Sequence, residues 1–217
     1  MSGKPAKASA RSSGSSLVTK YLILYNTISC ILWLGVLGRV LLLLPLFHHS
    51  DIFSSVGEYT KWTQTVALLE IVHIVLRLVR SSLPTTVTQV ASRILLVWGV
   101  CDRFQNAQVT WAYTTMLVAW SVTEVCRYSY YVVNLTRSTS GVLTWLRYNT
   151  FFILYPMGAG SEFLCIIAAL QEAWSWDQRY YWFLCAILVT YPPGLFVQYT
   201  HMMAQRRKQI RGKKKAN

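Results

Sequence analysis

Residues 145–170 read WLRYNTFFILYPMGAGSEFLCIIAAL. Beyond Arg147 the stretch holds one carboxyl, Glu162, in an otherwise apolar run. At about 1.5 Å per helical residue it spans the ~30 Å hydrocarbon core of a bilayer. It therefore reads as a membrane crossing, and each polar residue inside it needs a physical reason to be there.

Further apolar segments lie at roughly 20–44, 62–80, 85–101, 110–133 and 180–201. The chain is 53% hydrophobic and 13% charged, against about 25% charged in a soluble domain. The expected fold is an all-α membrane protein, a bundle of about six transmembrane helices. Residues 1–19, rich in Ser, Ala, Lys and Gly, read as a disordered tail. Residues 20–201 form the membrane domain and 202–217 a basic tail. No cleavable signal peptide precedes the first apolar run, and no internal repeat is evident. Cys30, Cys101, Cys126, Cys165 and Cys185 are scattered without CxxC or Cys/His spacing, so neither a zinc site nor a disulfide framework is expected.

Charge sets the orientation. The net charge of +13 comes largely from the ends: Lys4, Lys7, Arg11 and Lys20, then seven basic residues between Arg206 and Lys215. Basic tails beside a membrane report topology and anionic lipid rather than nucleic acid. Six crossings with cytosolic termini leave Lys61, Arg103 and Arg179 in outside loops. The inside connections then hold Arg77, Arg80 and Arg93, and Arg127, Arg137 and Arg147. Asp51, Glu58, Asp102, Glu172 and Asp177 all fall outside. Trp62, Trp111, Trp145, Trp174 and Trp176 stand near span ends, as interfacial aromatics do. The sequon Asn134-Leu135-Thr136 would be cytosolic and is expected to carry no glycan. The chain closes with Lys213-Lys214-Lys215-Ala216-Asn217. Lys214 and Lys215 resemble the dilysine retrieval signal of resident endoplasmic-reticulum membrane proteins, an address that works only from the cytosol.

Three carboxyls remain inside apolar spans: Glu70, Glu124 and Glu162. A carboxylate at membrane depth is costly unless paired, protonated or wet, so each is a functional candidate beside the plainer role of an interhelical hydrogen bond. The densest constellation is Arg147-Tyr148-Asn149 followed by Tyr155-Pro156-Met157-Gly158-Ala159-Gly160-Ser161-Glu162. Tyr155 and Glu162, seven residues apart, share a helix face ~10 Å apart along the axis. Pro156 is expected to bend the helix beside Tyr155. Gly158 and Gly160 remove bulk between the two polar groups, for close helix packing or for a ligand. A phenol and a carboxyl on one face suit proton chemistry on a lipid-like substrate.

The run Tyr155-Pro156-x-Gly158-x-x-x-Glu162 resembles the signature of the endoplasmic-reticulum 3-hydroxyacyl-CoA dehydratases, also called protein tyrosine phosphatase-like membrane proteins. Similar motifs follow one another over about 150 residues. They are Leu69-Glu70-Ile71-Val72-His73 with Arg80-Ser81-Ser82; Gln89 with Ser92-Arg93; Glu124-Val125-Cys126-Arg127-Tyr128 with Tyr130-Tyr131; and Arg147-Tyr148. The resemblance implies dehydration of long-chain (3R)-3-hydroxyacyl-CoA to trans-2-enoyl-CoA, the third step of fatty-acid elongation. It implies Tyr155 and Glu162 as the catalytic pair, with Glu70, Gln89, Arg93, Arg127, Arg147 and Gly158 supporting activity or holding the site together. One of the pair would take the C2 proton and the other protonate the departing C3 hydroxyl; the expected assignment is Tyr155 at C2 with Glu162 at the hydroxyl, and the reverse is also open. The acyl chain would lie among the helices. The CoA head would then meet the cytosolic arginines Arg77, Arg80, Arg93, Arg127 and Arg147, which positive-inside bias also explains. No metal or redox cofactor is implied, CoA being part of the substrate. The implied partners are membrane lipid, an elongase, a 3-ketoacyl-CoA reductase and an enoyl-CoA reductase.

Rival readings are weaker. A cysteine phosphatase needs an arginine six positions after its nucleophile, and here stand Val36, Ala107, Val132, Gln171 and Tyr191. A transporter would be expected to show an inverted repeat. A non-catalytic membrane scaffold for elongation enzymes is the remaining alternative.

Overall fold

In lipid a backbone must satisfy its own polar groups, and helices do this within one segment. The structure, a computed structural model, describes residues 6–136, 138 and 140–216. Among them every regular element is helical: α1 (Ala6–Leu43), a 3₁₀ turn (His49–Asp51), α2 (Ile52–Thr65), α3 (Leu68–Val75), α4 (Leu83–Ile94) continued by a π-helical segment (Leu95–Cys101), α5 (Gln105–Val109), α6 (Trp111–Leu135), α7 (Gly141–Asn149), α8 (Phe151–Trp176) and α9 (Gln178–Ala216).

Three stretches are long and apolar enough to cross a membrane: Ser16–Leu43, Phe151–Trp176 and Gln178–Ala204. They expose large side chains such as Ile31, Ile153, Val189 and Phe196, a coat that suits hydrocarbon and is a liability in water. The expected interfacial tryptophans, Trp62, Trp111, Trp145, Trp174 and Trp176, are all exposed. Helix α6 is the centre of the bundle, packed mainly on α1 and α8, and α9 packs on α8. Trp33 of α1 meets Trp120 of α6 edge to face at 6.4 Å, within a core that includes Val36, Ile52, Leu96, Met116 and Ile166.

Four sequence boundaries shift. Helix α1 begins at Ala6, inside the stretch read as a disordered tail; its Ala, Ser, Lys and Arg residues are compatible with extending a helix already formed. The segment 62–80 is two helices: α2 starts at Ile52, because Ile52 and Val56 pack inward together with Thr60, Lys61 and Gln64. Helix α3 stops at Val75, and Arg77 follows in the left-handed region at φ 56°, a conformation costing a non-glycine residue ~1–2 kcal/mol. The Leu78 amide bonds back to the His73 carbonyl at 2.9 Å and closes the end. Segment 145–170 divides at Thr150, where the Thr150 hydroxyl and the Asn149 amide bond back to the carbonyls of Leu146 and Trp145 at 2.7 and 2.8 Å. Arg147 therefore stands on α7, and Tyr155 and Glu162 on α8, which runs unbroken through Pro156.

At the expected outer end, Lys61 clamps two carboxylates, Asp102 at 2.7 Å and Glu58 at 2.8 Å, while the Trp62 indole donates to Glu58 at 2.6 Å. The Lys61 ammonium and then the Trp62 indole hold the exposed Glu58 carboxyl below its ordinary value. Asp102 and then Glu58 hold the Lys61 ammonium above its own.

Candidate active site

Helices α3, α4 and α6 are joined by a ladder of charges. Arg127 of α6 donates from both terminal nitrogens to the two oxygens of Glu70 on α3, at 2.8 and 2.7 Å. Its Nε donates to Glu124 Oε2, one turn back on α6, at 2.7 Å. Arg93 of α4 donates to the other oxygen of Glu124, and the Tyr128 hydroxyl donates to Glu70 at 2.6 Å. Glu124 is 2% exposed at its side chain. Two guanidinium groups thus face two carboxylates, and the forked Arg127–Glu70 contact fixes geometry as well as charge. Helix α1 joins through Tyr21, whose hydroxyl lies 2.8 Å from His73 Nε2, and through Tyr25, whose ring meets His73 and Tyr128 edge-on.

The ladder ends on Trp120. The Arg93 guanidinium carbon lies 4.8 Å from the centroid of that ring. From the ring edge the Trp120 indole N–H donates to Glu162 Oε1 at 2.8 Å, and the Tyr191 hydroxyl of α9 donates to Glu162 Oε2 at 3.1 Å. Among the described residues Glu162 has no cationic partner within ion-pair distance; neutral donors hold both its oxygens. Gly158 lets α8 come this close to α6: a Cβ there would sit 3.6 Å from Ala119 Cβ and 3.8 Å from Trp120 Cδ1. The Ser161 and Thr115 hydroxyls, 2.7 Å apart, bind the same two helices. At Gly160 no atom lies within 4 Å of an added Cβ.

The structure brings Glu70, Arg93, Arg127, Gly158 and Glu162 into one connected region. Tyr155 is half-buried about two turns earlier on α8, its ring 6.5 Å from that of Tyr199 on α9. Its hydroxyl makes no hydrogen bond among the described residues. Arg147 stands apart from the ladder, its guanidinium 4.5 Å from the Tyr130 ring centroid and 4.9 Å from that of Tyr131. Gln89 lies exposed on α4, and its side chain makes no hydrogen bond among the described residues. The side chains of Lys214 and Lys215, and all of Arg137, lie outside the described residues. Sequence reasoning missed Trp120 and Tyr191, the two residues that hold Glu162. Each looks like any aromatic in an apolar run, and only packing between three helices reveals its polar atom.

A helical membrane bundle with a carboxyl held by neutral donors, a phenol on the same helix face and a charge-balanced brace behind them has the form of an intramembrane acid–base site. Residues 64–212 match the model of the family described as protein tyrosine phosphatase-like protein, PTPLA, and the chain belongs to that family. It is 47% identical over 197 residues to the Schizosaccharomyces pombe protein named "Probable very-long-chain (3R)-3-hydroxyacyl-CoA dehydratase", covering 88% of this chain and 93% of that one. It is 34% identical over 206 residues to the human "Very-long-chain (3R)-3-hydroxyacyl-CoA dehydratase 2", covering 88% and 81%. A Caenorhabditis elegans very-long-chain (3R)-3-hydroxyacyl-CoA dehydratase is 34% identical over 213 residues, covering 90% and 96%. No solved structure matches the chain.

Proposed function

We propose that this protein removes water from long- and very-long-chain (3R)-3-hydroxyacyl-CoA to give trans-2-enoyl-CoA, the dehydration step of fatty-acid elongation. The observation that carries the reading is the 47% identity, along nearly the whole of both chains, to a relative named for that reaction. The geometry of α8 supports it. Glu162 accepts from the Trp120 indole on one oxygen and meets the Tyr191 hydroxyl with the other, an arrangement open to a carboxylate, and a phenol with an ordinary pKa near 10 carries its proton at neutral pH. Reversing the assignment expected from the sequence, we place Glu162 at the C2 proton and Tyr155 at the C3 hydroxyl. The C2–H electron pair becomes the new double bond, the C3–O bond breaks, and the oxygen leaves as water with the proton of Tyr155. Return of the proton from Glu162 to the phenolate restores both groups.

Glu70, Arg93 and Arg127 act behind this pair. Their charges are matched with Glu124, and their work is to hold α3, α4 and α6 so that Trp120 meets Glu162. Gly158 permits the approach, and the space at Gly160 admits the acyl chain. No cofactor beyond the CoA of the substrate enters the reaction.

The reading extends to six crossings with both termini in the cytosol. Helices α1, α8 and α9 are joined by the end of α2 from Trp62 onward with α3, by α4 with its π segment, and by α6. Lys214 and Lys215 then serve as the retrieval signal for residence in the endoplasmic reticulum, beside an elongase, a 3-ketoacyl-CoA reductase and an enoyl-CoA reductase. A glycan on Asn134 of the native protein would reverse this orientation.

The test is turnover of a long-chain (3R)-3-hydroxyacyl-CoA by purified protein in lipid, with Tyr155→Phe and Glu162→Gln alongside and folding checked for each. Enoyl-CoA formed by the wild type and lost in both variants supports the assignment. A folded wild type without turnover returns the protein to the scaffold class.

A further inference from the structure

The arginines on the expected cytosolic side differ in what neutralises them. Arg93 and Arg127 are matched to Glu124 and Glu70, so neither can clasp a phosphate without uncovering a buried carboxylate. Arg147 and Arg206 have no carboxylate within ion-pair distance among the described residues. Arg147 rests on Tyr130 and Tyr131, and its Nη1 is buried without a hydrogen-bond partner among the described residues. Arg206 of α9 donates from Nη2 and Nε to Asn149 Oδ1 at 3.0 and 3.3 Å, and its guanidinium lies 5.0 Å from the Phe152 ring centroid.

Rings and an amide orient a guanidinium without cancelling its charge. Both cations are therefore held in place, flank the α7–α8 junction, and remain unneutralised. Their distance from the chemistry is also informative. Arg206 sits over Phe152, ten residues before Glu162 on α8, or about 15 Å along the helix axis. Tyr155 and Tyr199 stand between the two points, Tyr199 packing on both Phe152 and Tyr155. An extended phosphopantetheine arm covers a distance of this order. Coenzyme A carries phosphate at two places, the pyrophosphate and the ribose 3′-phosphate, which suits two cations from different helices better than a single small anion does.

We infer that Arg147 and Arg206 form the seat for the phosphates of the substrate's coenzyme A, with the pantetheine arm running along α8 past Tyr155 to Glu162. The inference rests on the dehydratase reading above, and it adds Arg206, Asn149 and Phe152 to the substrate path. Guanidinium groups fixed before binding lose little freedom when phosphate arrives.

The test is equilibrium binding of palmitoyl-CoA and of phosphate-free palmitoyl-pantetheine to the whole protein in zwitterionic nanodiscs. Arg147→Gln and Arg206→Gln should each weaken palmitoyl-CoA binding about tenfold and change palmitoyl-pantetheine binding less than about twofold. Arg206→Lys should recover part of the loss, and Arg179→Gln, the same charge loss at the other end of α9, should bind palmitoyl-CoA as wild type does. Unchanged palmitoyl-CoA affinity in both variants, or equal loss of both ligands, overturns the seat. In nanodiscs containing phosphatidylserine, loss of a lipid-dependent component alone would assign the arginines to headgroups and overturn it as well. Charge-dependent palmitoyl-CoA binding by a wild type that forms no enoyl product would keep the seat and sink the reaction, so the two failures are distinguishable.

Discussion

Replacing Glu124 with Gln changes one oxygen to nitrogen and removes the anion shared by Arg93 and Arg127. The Arg127 contact with Glu124 at 2.7 Å is worth ~6 kcal/mol gross at an effective dielectric of ~20, the Arg93 contact adds a contribution of the same kind, and desolvation offsets most of both. What remains after the substitution is one uncompensated positive charge, at a position whose carboxylate side chain is 2% exposed. Removing one partner of a buried pair costs ~3–5 kcal/mol, and Glu124→Gln is expected in that range. Glu70→Gln should cost less, about 2 kcal/mol, because its side chain is 17% exposed and Arg127 keeps Glu124. The decisive variant is the double substitution Glu124→Gln with Arg93→Met, which restores neutrality and should recover at least ~1.5 kcal/mol relative to the sum of the single changes. Reversible denaturation in mixed micelles, with far-UV circular dichroism as the readout, measures these three variants and Arg93→Met alone. Glu124→Gln within ~1 kcal/mol of wild type, or a double variant worse than additive, would refute the reasoning that charge balance holds α4 to α6.

Tyr191→Phe keeps the ring and removes one of the two donors to Glu162, so turnover should fall roughly tenfold with unchanged unfolding; wild-type turnover would make the 3.1 Å contact incidental. Gly158→Ala places its methyl in ordinary contact with Ala119 and Trp120 and should fold as wild type. Gly158→Leu should push α8 from α6, cost ~1–3 kcal/mol and abolish turnover; equal behaviour of the two variants would dismiss close approach as the reason for glycine. The outer clamp predicts a pH window. Lys61 is raised above its ordinary value of 10.5, so its contribution is complete below that value and lost as pH climbs through the higher folded value. Glu58 is lowered from 4.5, so its contribution is present above 4.5 and lost as pH falls through the folded value. Thermal stability of Lys61→Met should therefore fall short of wild type most clearly between those limits and converge with it in strong base. A constant difference into strong base would remove the clamp from the explanation.

The sequence told most where a cost is local. A carboxyl inside an apolar run is improbable on energetic grounds alone, which is why Glu70, Glu124 and Glu162 stood out; Arg127 read as part of a cytosolic connection, and its pairing with Glu124 and Glu70 emerges only in the fold, where α3 meets α6. Periodicity also put Tyr155 and Glu162 together. It could not see that Asn149 and Thr150 would divide the segment that carries Arg147, because their side chains end a helix by bonding backbone carbonyls that a hydropathy run does not register. The same limit hid the start of α2 at Ile52, where the inward face includes Thr60, Lys61 and Gln64 and so lacks an apolar signature. Trp120 and Tyr191 were invisible for another reason: their polar atoms acquire meaning only when α6, α8 and α9 converge on Glu162.

The ladder also bears on how such a protein is made. Helix α6 carries a carboxylate and a guanidinium that a lone hydrophobic segment enters lipid with difficulty. Its ion-pair partners on other helices, Glu70 and Arg93, both come earlier in the chain. They have left the ribosome before α6 emerges, whereas the later helix α8 meets α6 through Glu162 on the Trp120 indole and Ser161 on Thr115 rather than through an ion pair. Synthesis from the N-terminus therefore delivers the counter-charges first, and α6 can be received by a half-built bundle rather than by bare lipid. A circular permutant that made α6 before α3 and α4 would reverse that order of delivery while leaving every final contact the same.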